Sequence, residues 1–158
     1  MSSRRLSHFN EYGEARMVDI GEKNITPRYA KASGTVLMKR RTLQLLRSGK
    51  IKKGDAFTVA KTAGILAVKK TPELIPLCHP LPLDQIQIDF EDLPSKDGIK
   101  IKVQVKTTSK TGVEIEALNG VLITALTLYD MAKSYDPAMT ITNVRVVQKT
   151  GGKSDFSL

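Results

Sequence analysis

Cys78 and His79 stand side by side in LIPLCHPLPL, residues 74–83, of a 158-residue chain that has one cysteine and two histidines. Pro76, Pro80 and Pro82 flank them, so the segment can be neither a regular helix nor an inner strand. A thiol beside an imidazole suggests a metal site or a nucleophile activated by a base. A structural zinc takes about four ligands, and this chain offers no second cysteine and only His8 besides, so no metal site is expected. In an extended segment neighbouring side chains point to opposite faces, which also disfavours a hydrogen-bonded Cys–His dyad. Two readings remain. Cys78 is a small buried group in a proline-fixed crossover, or the segment is a preset loop that presents His79 and backbone amides to a ligand with little ordering entropy to lose.

Three further groups could do chemistry. In YDMAK, Asp130 and Lys133 are three apart on a helix and so neighbours on one face. An exposed ion pair is the plain reading. Leu126, Leu128, Tyr129 and Met131 surround the pair, however, and apolar surroundings would raise the Asp130 pKa and lower that of Lys133, as acid–base work needs. A tight ion pair would do the opposite, and the sequence leaves the outcome open. In EIE, Glu114 and Glu116 complement the positive end of a helix dipole. Glu116 and Asp130 share nearly one helical azimuth but lie about 21 Å apart along the axis. One small ligand cannot touch both on a single chain, so a common site would need a second subunit. Finally, Lys53-Gly54-Asp55 and Thr150-Gly151-Gly152-Lys153 each set a lysine beside glycine near a turn, where an ammonium and backbone amides can hold phosphate. A basic solvated loop is the plain alternative.

These groups need elements to position them. Residues 1–16 read as a mobile tail, and MVDIGEKN as a candidate edge strand. YAKASGTVLM reads as a strand, and RTLQLLRSGK as a helix closed by Gly49. Asp55 is a natural N-cap for AFTVAKTAGILAVKK, whose Ala56, Ala60, Ala63, Gly64 and Ala67 make one small-residue face. DQIQIDFED and GIKIKVQVK alternate apolar and polar residues around Asp97-Gly98, which predicts an antiparallel hairpin. The run from Thr111 to Tyr135 predicts a helix apolar nearly all round, hence buried on more than one side, with one side near a subunit interface. MTITNVRVVQK is the last strand. The order predicts an α+β, ferredoxin-like sandwich, an antiparallel sheet with helices packed on one face. It forms a single domain over residues 17–149, followed by a flexible C-terminal tail, residues 150–158.

The net charge of +9 favours a polyanionic partner such as nucleic acid, nucleotide or phosphorylated metabolite. With no Trp and 5% aromatic residues, base stacking is poorly supported, so nucleic acid is not the expected partner. No stretch approaches the roughly 20 apolar residues of a membrane span, and the N-terminus has no apolar run of a secretory signal. A single cysteine suits a reducing compartment, so the expected location is cytoplasmic.

LIPLCHPLPL, KKGDAFTVAKTAGILAVKKT, KTGVEIEAL, LTLYDMAK and TGGKS occur in the order and with the spacing of the MoaC family of molybdenum cofactor biosynthesis, the cyclic pyranopterin monophosphate synthases. The resemblance runs from about Met17 to Phe156. It implies a cytoplasmic lyase of ferredoxin-like fold, a homohexamer built as a trimer of dimers with its site at a subunit interface. The implied reaction converts 3′,8-cyclo-7,8-dihydroguanosine triphosphate to cyclic pyranopterin monophosphate with loss of pyrophosphate, and it uses no redox cofactor. By resemblance Asp130, Lys53 and Lys133 are the catalytic residues. Leu77, Cys78, His79, Glu114, Ile115, Glu116, Lys149 and Lys153 contact the substrate. The chain departs from the family at two places: Ile115 stands where Met is frequent, and the tail reads GGKSDF where GGKSGDF is common.

Overall fold

The computed structural model describes residues 12–95 and 97–158. Residues 1–11, with His8 and most of the expected N-terminal tail, lie outside the described residues. The chain runs β1 (Thr26–Leu37), α1 (Arg40–Arg47), α2 (Ala56–Lys69), α3 (Thr71–Leu74), β2 (Gln85–Asp92), β3 (Gly98–Ser109), α4 (Glu114–Ala132), β4 (Thr140–Thr150) and β5 (Phe156–Ser157). All strand pairs are antiparallel, in the order β2-β3-β1-β4-β5. Setting aside β5, this is the α+β order of a ferredoxin-like sandwich, with the first and third strands at the centre.

The alternation of β3 decides which face is covered. Ile99, Ile101, Val103 and Val105 are fully buried on one face, paired across the ladder with Val36, Gly34, Ala32 and Ala30 of β1. Small residues on β1 let α4 come close: a Cβ on Gly34 would stand 2.6 Å from Val121 Cγ1. α4 answers with Ala117, Gly120, Val121, Thr124, Ala125 and Leu128, and α2 packs on it through Ala60, Gly64 and Ala67. The crossing is tight enough that a Cβ on Gly64 would sit 2.0 Å from Thr124 Oγ1. Two caps fix the helix starts. The Asp55 carboxylate accepts the Phe57 and Thr58 amides at 3.0 and 3.2 Å, as its position predicts. Asp136, almost fully buried, accepts the Lys39 amide at 2.8 Å and the Thr42 hydroxyl at 3.1 Å, tying the end of α4 to the start of α1. Gly49, at φ +66°, follows the end of α1 as expected.

Some expectations change. MVDIGEKN is not an edge strand; it makes bends and a turn before β1, because its single alternating pair of apolar residues, Val18 and Ile20, finds no sheet edge to join. The edge next to β4 is taken instead by β5, where Lys149 and Gln148 pair with Phe156 and Ser157 of the C-terminal tail. The one-turn helix α3 was not foreseen. α4 also comes nearer to the length and apolarity of a membrane span than expected, but more than half of its span is buried within the fold. Its outer side leaves Ile115, Leu122 and Leu126 exposed, as are Val59 and Leu66 of α2.

Candidate active site

The candidate residues gather at the two ends of α4. At its C-terminal end Asp130 lies between two lysines. Lys53, brought in by the turn at Gly54 (φ +96°) just before α2, donates to Asp130 Oδ2 at 3.1 Å and to the Asp130 carbonyl at 2.9 Å. Lys133, one turn on, donates to Oδ1 at 2.8 Å. All three side chains are about half exposed, so water reaches them freely. Hydrogen bonds from Lys133 and then Lys53 hold the Asp130 carboxyl below the usual carboxylate range, and the Asp130 carboxylate pushes Lys133 up. The ion pair therefore prevails over the desolvation considered from the sequence. The reason is directional: Leu128 and Met131 point into the core, away from the charged edge, and Leu126 is itself exposed.

At the N-terminal end the pattern reverses. Glu116 is 4% exposed, and burial pushes its carboxyl up, helped by the charge of Glu114. Glu114 pairs with Lys149 of β4 at 3.0 Å. Leu77, Cys78 and His79 are all half-buried, and Ile115 is exposed. Burial pushes the Cys78 thiol up, and the negative charge of Glu116 adds to it, which places the LCH segment beside the first turn of α4. A shift in that direction favours the neutral thiol, which is the poorer nucleophile. The far end of the segment is pinned to β3, where the Thr107 hydroxyl donates to the Pro82 carbonyl and the Asp84 amide donates to the Lys106 carbonyl at 2.8 Å.

Beside Glu114 opens a cleft of about 520 Å³, in the size range of small-molecule sites. Lys149 and Lys153 line it, as do the Gly151-Gly152 turn and three cations that sequence reasoning missed, Lys23, Arg28 and Lys110. Their signal was faint: single basic residues far apart in sequence, of which Arg28 and Lys110 are brought together by the pairing of β1 with β3. The tail turn closes one side. Gly151, at φ +89°, runs so near β1 that a Cβ there would meet the Pro27 carbonyl at 1.9 Å, and its amide donates to Asp155 at 3.0 Å. Arg28 reaches the Lys110 carbonyl with Nη2 at 3.4 Å, while its buried Nε has no hydrogen-bond partner among the described residues. Among the described residues no three His, Cys, Asp or Glu side chains converge on one point.

Within one chain, then, Glu114, Glu116, Lys149 and Lys153 share a region with the LCH segment, and Asp130, Lys53 and Lys133 share another. The helix keeps the two about 21 Å apart.

The family model for the MoaC family matches residues 17–152. A cyclic pyranopterin monophosphate synthase of Pelotomaculum thermopropionicum is 52% identical over 149 residues, covering 94% of this chain and 88% of that protein. Proteins of the same name from Clostridium botulinum and Parvibaculum lavamentivorans are 51% and 47% identical, each covering 96% of its own length and 96% and 98% of this chain. With a basic cleft at one end of α4, a lysine-flanked aspartate at the other and this likeness over nearly its whole length, the chain belongs to the MoaC family.

Proposed function

We propose that the chain is a cyclic pyranopterin monophosphate synthase, the lyase that converts 3′,8-cyclo-7,8-dihydroguanosine triphosphate to cyclic pyranopterin monophosphate and pyrophosphate in molybdenum cofactor biosynthesis. The observation that carries the reading is the cleft beside Glu114, where Arg28, Lys110, Lys149 and Lys153 converge and a buried Arg28 Nε has no partner among the described residues. A buried donor without an acceptor asks for one, and a triphosphate oxygen supplies it. Pyrophosphate is then expelled among cations that stabilise its developing charge. Leu77, Cys78, His79, Ile115 and Glu116 form the wall against the ring system, with His79 free to hydrogen-bond a polar edge.

The proton work falls to Lys53, Asp130 and Lys133 of a second copy. The exposed stripe of Ile115, Leu122 and Leu126 on α4, continued by Val59 and Leu66 on α2, is the surface that a partner covers. Such stripes mark protein contacts. Two antiparallel α4 helices would set the N-terminal end of one beside the C-terminal end of the other, and three such pairs make the homohexamer. Covering the lysine–aspartate cluster also removes water from it. Desolvation acts against the shifts seen in the isolated chain, bringing Asp130 up and Lys133 down, in the direction that lets the two exchange protons. Asp130 positions Lys133 and relays protons; Lys53 and Lys133 share acid–base work and phosphate orientation.

The deciding experiment supplies the cyclised guanosine triphosphate intermediate and measures pyrophosphate and the cyclic monophosphate product. Release of both in equal amounts supports the reading. Saturable binding without release would make the chain a nucleotide-binding module, and salt-steep binding of single-stranded or duplex nucleic acid without turnover would leave only the charge-based alternative.

A further inference from the structure

We infer that Asn119 is a positioning residue for the substrate wall, an inference that rests on the function proposed above and assigns a role to a side chain outside the cleft. The wall, Leu77 to His79, has little means of holding itself. Pro76, Pro80 and Pro82 have no N–H to donate, so the segment makes few backbone bonds of its own. Its near end is hung on α4 instead. The Asn119 amide donates to the Ala67 carbonyl at 2.8 Å and to the Thr71 hydroxyl at 3.1 Å, so both of its N–H groups are used. Thr71, fully buried, donates in turn to the Ala67 carbonyl at 3.1 Å. From there the bonds lead straight to the wall: the Ile75 amide to the Thr71 carbonyl at 2.9 Å, then the Cys78 amide to the Ile75 carbonyl at 3.0 Å.

Position makes this anchor functional as well as structural. Asn119 lies one turn past Glu116 on the same face of α4, so a single helix turn sets both the buried carboxylate and the point from which the wall hangs. The spacing between Glu116 and the LCH segment is thereby fixed by α4 itself, and Cys78 feels the Glu116 charge. Without the amide, α2 still ends at Lys69, but the chain beyond Thr71 loses its tie to the helix that carries Glu116.

The test uses the full-length protein and the variants Asn119→Leu and Thr71→Val, which keep side-chain bulk and remove the hydrogen bonds. Ile99→Val, in the core beneath α4, serves as a control that lowers stability without touching the wall. Backbone hydrogen exchange is followed residue by residue alongside steady-state pyrophosphate release. Expected is exchange at Ile75 and Cys78 faster by about tenfold or more in both anchor variants. The kcat/KM should fall by about tenfold with most of the change in KM, as when contacts to ground and transition states loosen together. Ile99→Val at a matched loss of Tm should show neither. Exchange at Ile75 and Cys78 no faster than in Ile99→Val overturns the inference, and so does faster exchange with unchanged kcat/KM. If the unaltered protein releases no pyrophosphate, the proposed function fails instead, and the exchange comparison still decides whether Asn119 holds the wall.

Discussion

If the two ends of α4 meet only across a subunit boundary, two inactive variants should rescue each other. Asp130→Asn removes the carboxylate that Lys53 and Lys133 clamp, and Glu116→Gln removes the buried carboxylate beside the LCH wall; both changes are nearly isosteric. Alone, the first should lose about 10²–10⁴-fold in turnover, the range for losing general acid–base help. The second should lose at least tenfold or so, through the ring contacts it supports. Some fourteen residues of helix, about 21 Å, separate the two positions, so neither defect can be repaired within its own chain. In a two-fold pair built from one chain of each kind, one shared site carries both changes and the other carries neither. Equal mixing with free exchange makes half the pairs mixed, so about a quarter of all sites become intact. Pyrophosphate release should therefore climb from near zero to about a quarter of the unaltered rate as subunits exchange, on the time course seen by native mass spectrometry. Complete exchange with activity no higher than the mean of the two parents would refute the shared site. It would also remove the reason for placing Asp130 and Glu116 around one substrate.

Further expectations follow from the same geometry. Asp136→Asn should cost about 1–3 kcal/mol at neutral pH by unsatisfying the start of α1. Because hydrogen bonding from Lys39 holds the Asp136 carboxyl down, that stabilisation is present above the ordinary carboxylate range and is lost as pH falls through the depressed folded value; equal losses at pH 3 and pH 7 in urea titrations would contradict it. Glu116→Gln should raise Tm at pH 8 even as it lowers turnover, since burial raises the Glu116 pKa in the folded state. The gain should fade as pH drops through that raised value, and a destabilised variant at pH 8 would oppose the assignment. Gly64→Ala gains about 1 kcal/mol of helix propensity. Its Cβ would nevertheless stand 2.0 Å from Thr124 Oγ1 and 2.7 Å from Ile88 Cδ1. Overpacking of about 1–3 kcal/mol should win and lower Tm by several degrees; a higher Tm would show that the α2–α4 crossing yields easily. On the proposed assembly, Leu126→Glu should give smaller species than the unaltered protein in sedimentation, and an unchanged mass would clear that stripe of any role in an interface.

The hairpin was legible because Ile86, Ile88 and Phe90, like Ile99, Ile101, Val103 and Val105, repeat at the period of a strand, and period two has one structural meaning when one face is covered. Asp55 was legible because a cap acts through its nearest amides. What escaped depends on distant partners. Arg28 and Lys110 meet only because β1 pairs with β3. Phe156 and Ser157 form a strand only because β4 offers an open edge, which no local pattern announces. The direction of the Asp130 shift was equally hidden. Sequence places Leu128 and Met131 beside the ion pair, but on a helix adjacent residues face different ways, and only the packing shows that those two side chains leave the charges to water.

The apolarity of α4 then has two causes on two faces. One face is core: Ala117, Val121, Ala125 and Leu128 lie on the sheet and cannot be exchanged for polar residues without unfolding the domain. The other carries Leu122 and Leu126, at helical spacing leading into Asp130, and in the isolated chain it faces water. That second stripe lies between the two proposed half-sites. On the proposed function, a second copy covering it also brings the lysine–aspartate cluster of one chain to the Glu116 end of the other, so assembly and chemistry are coupled through one face of one helix. If that proposal holds, loss of the stripe should abolish turnover while leaving each chain folded, because what disappears is the meeting of the two half-sites and the dry surroundings proposed for proton exchange between a lysine and an aspartate; turnover kept in a monomeric, folded variant would refute it.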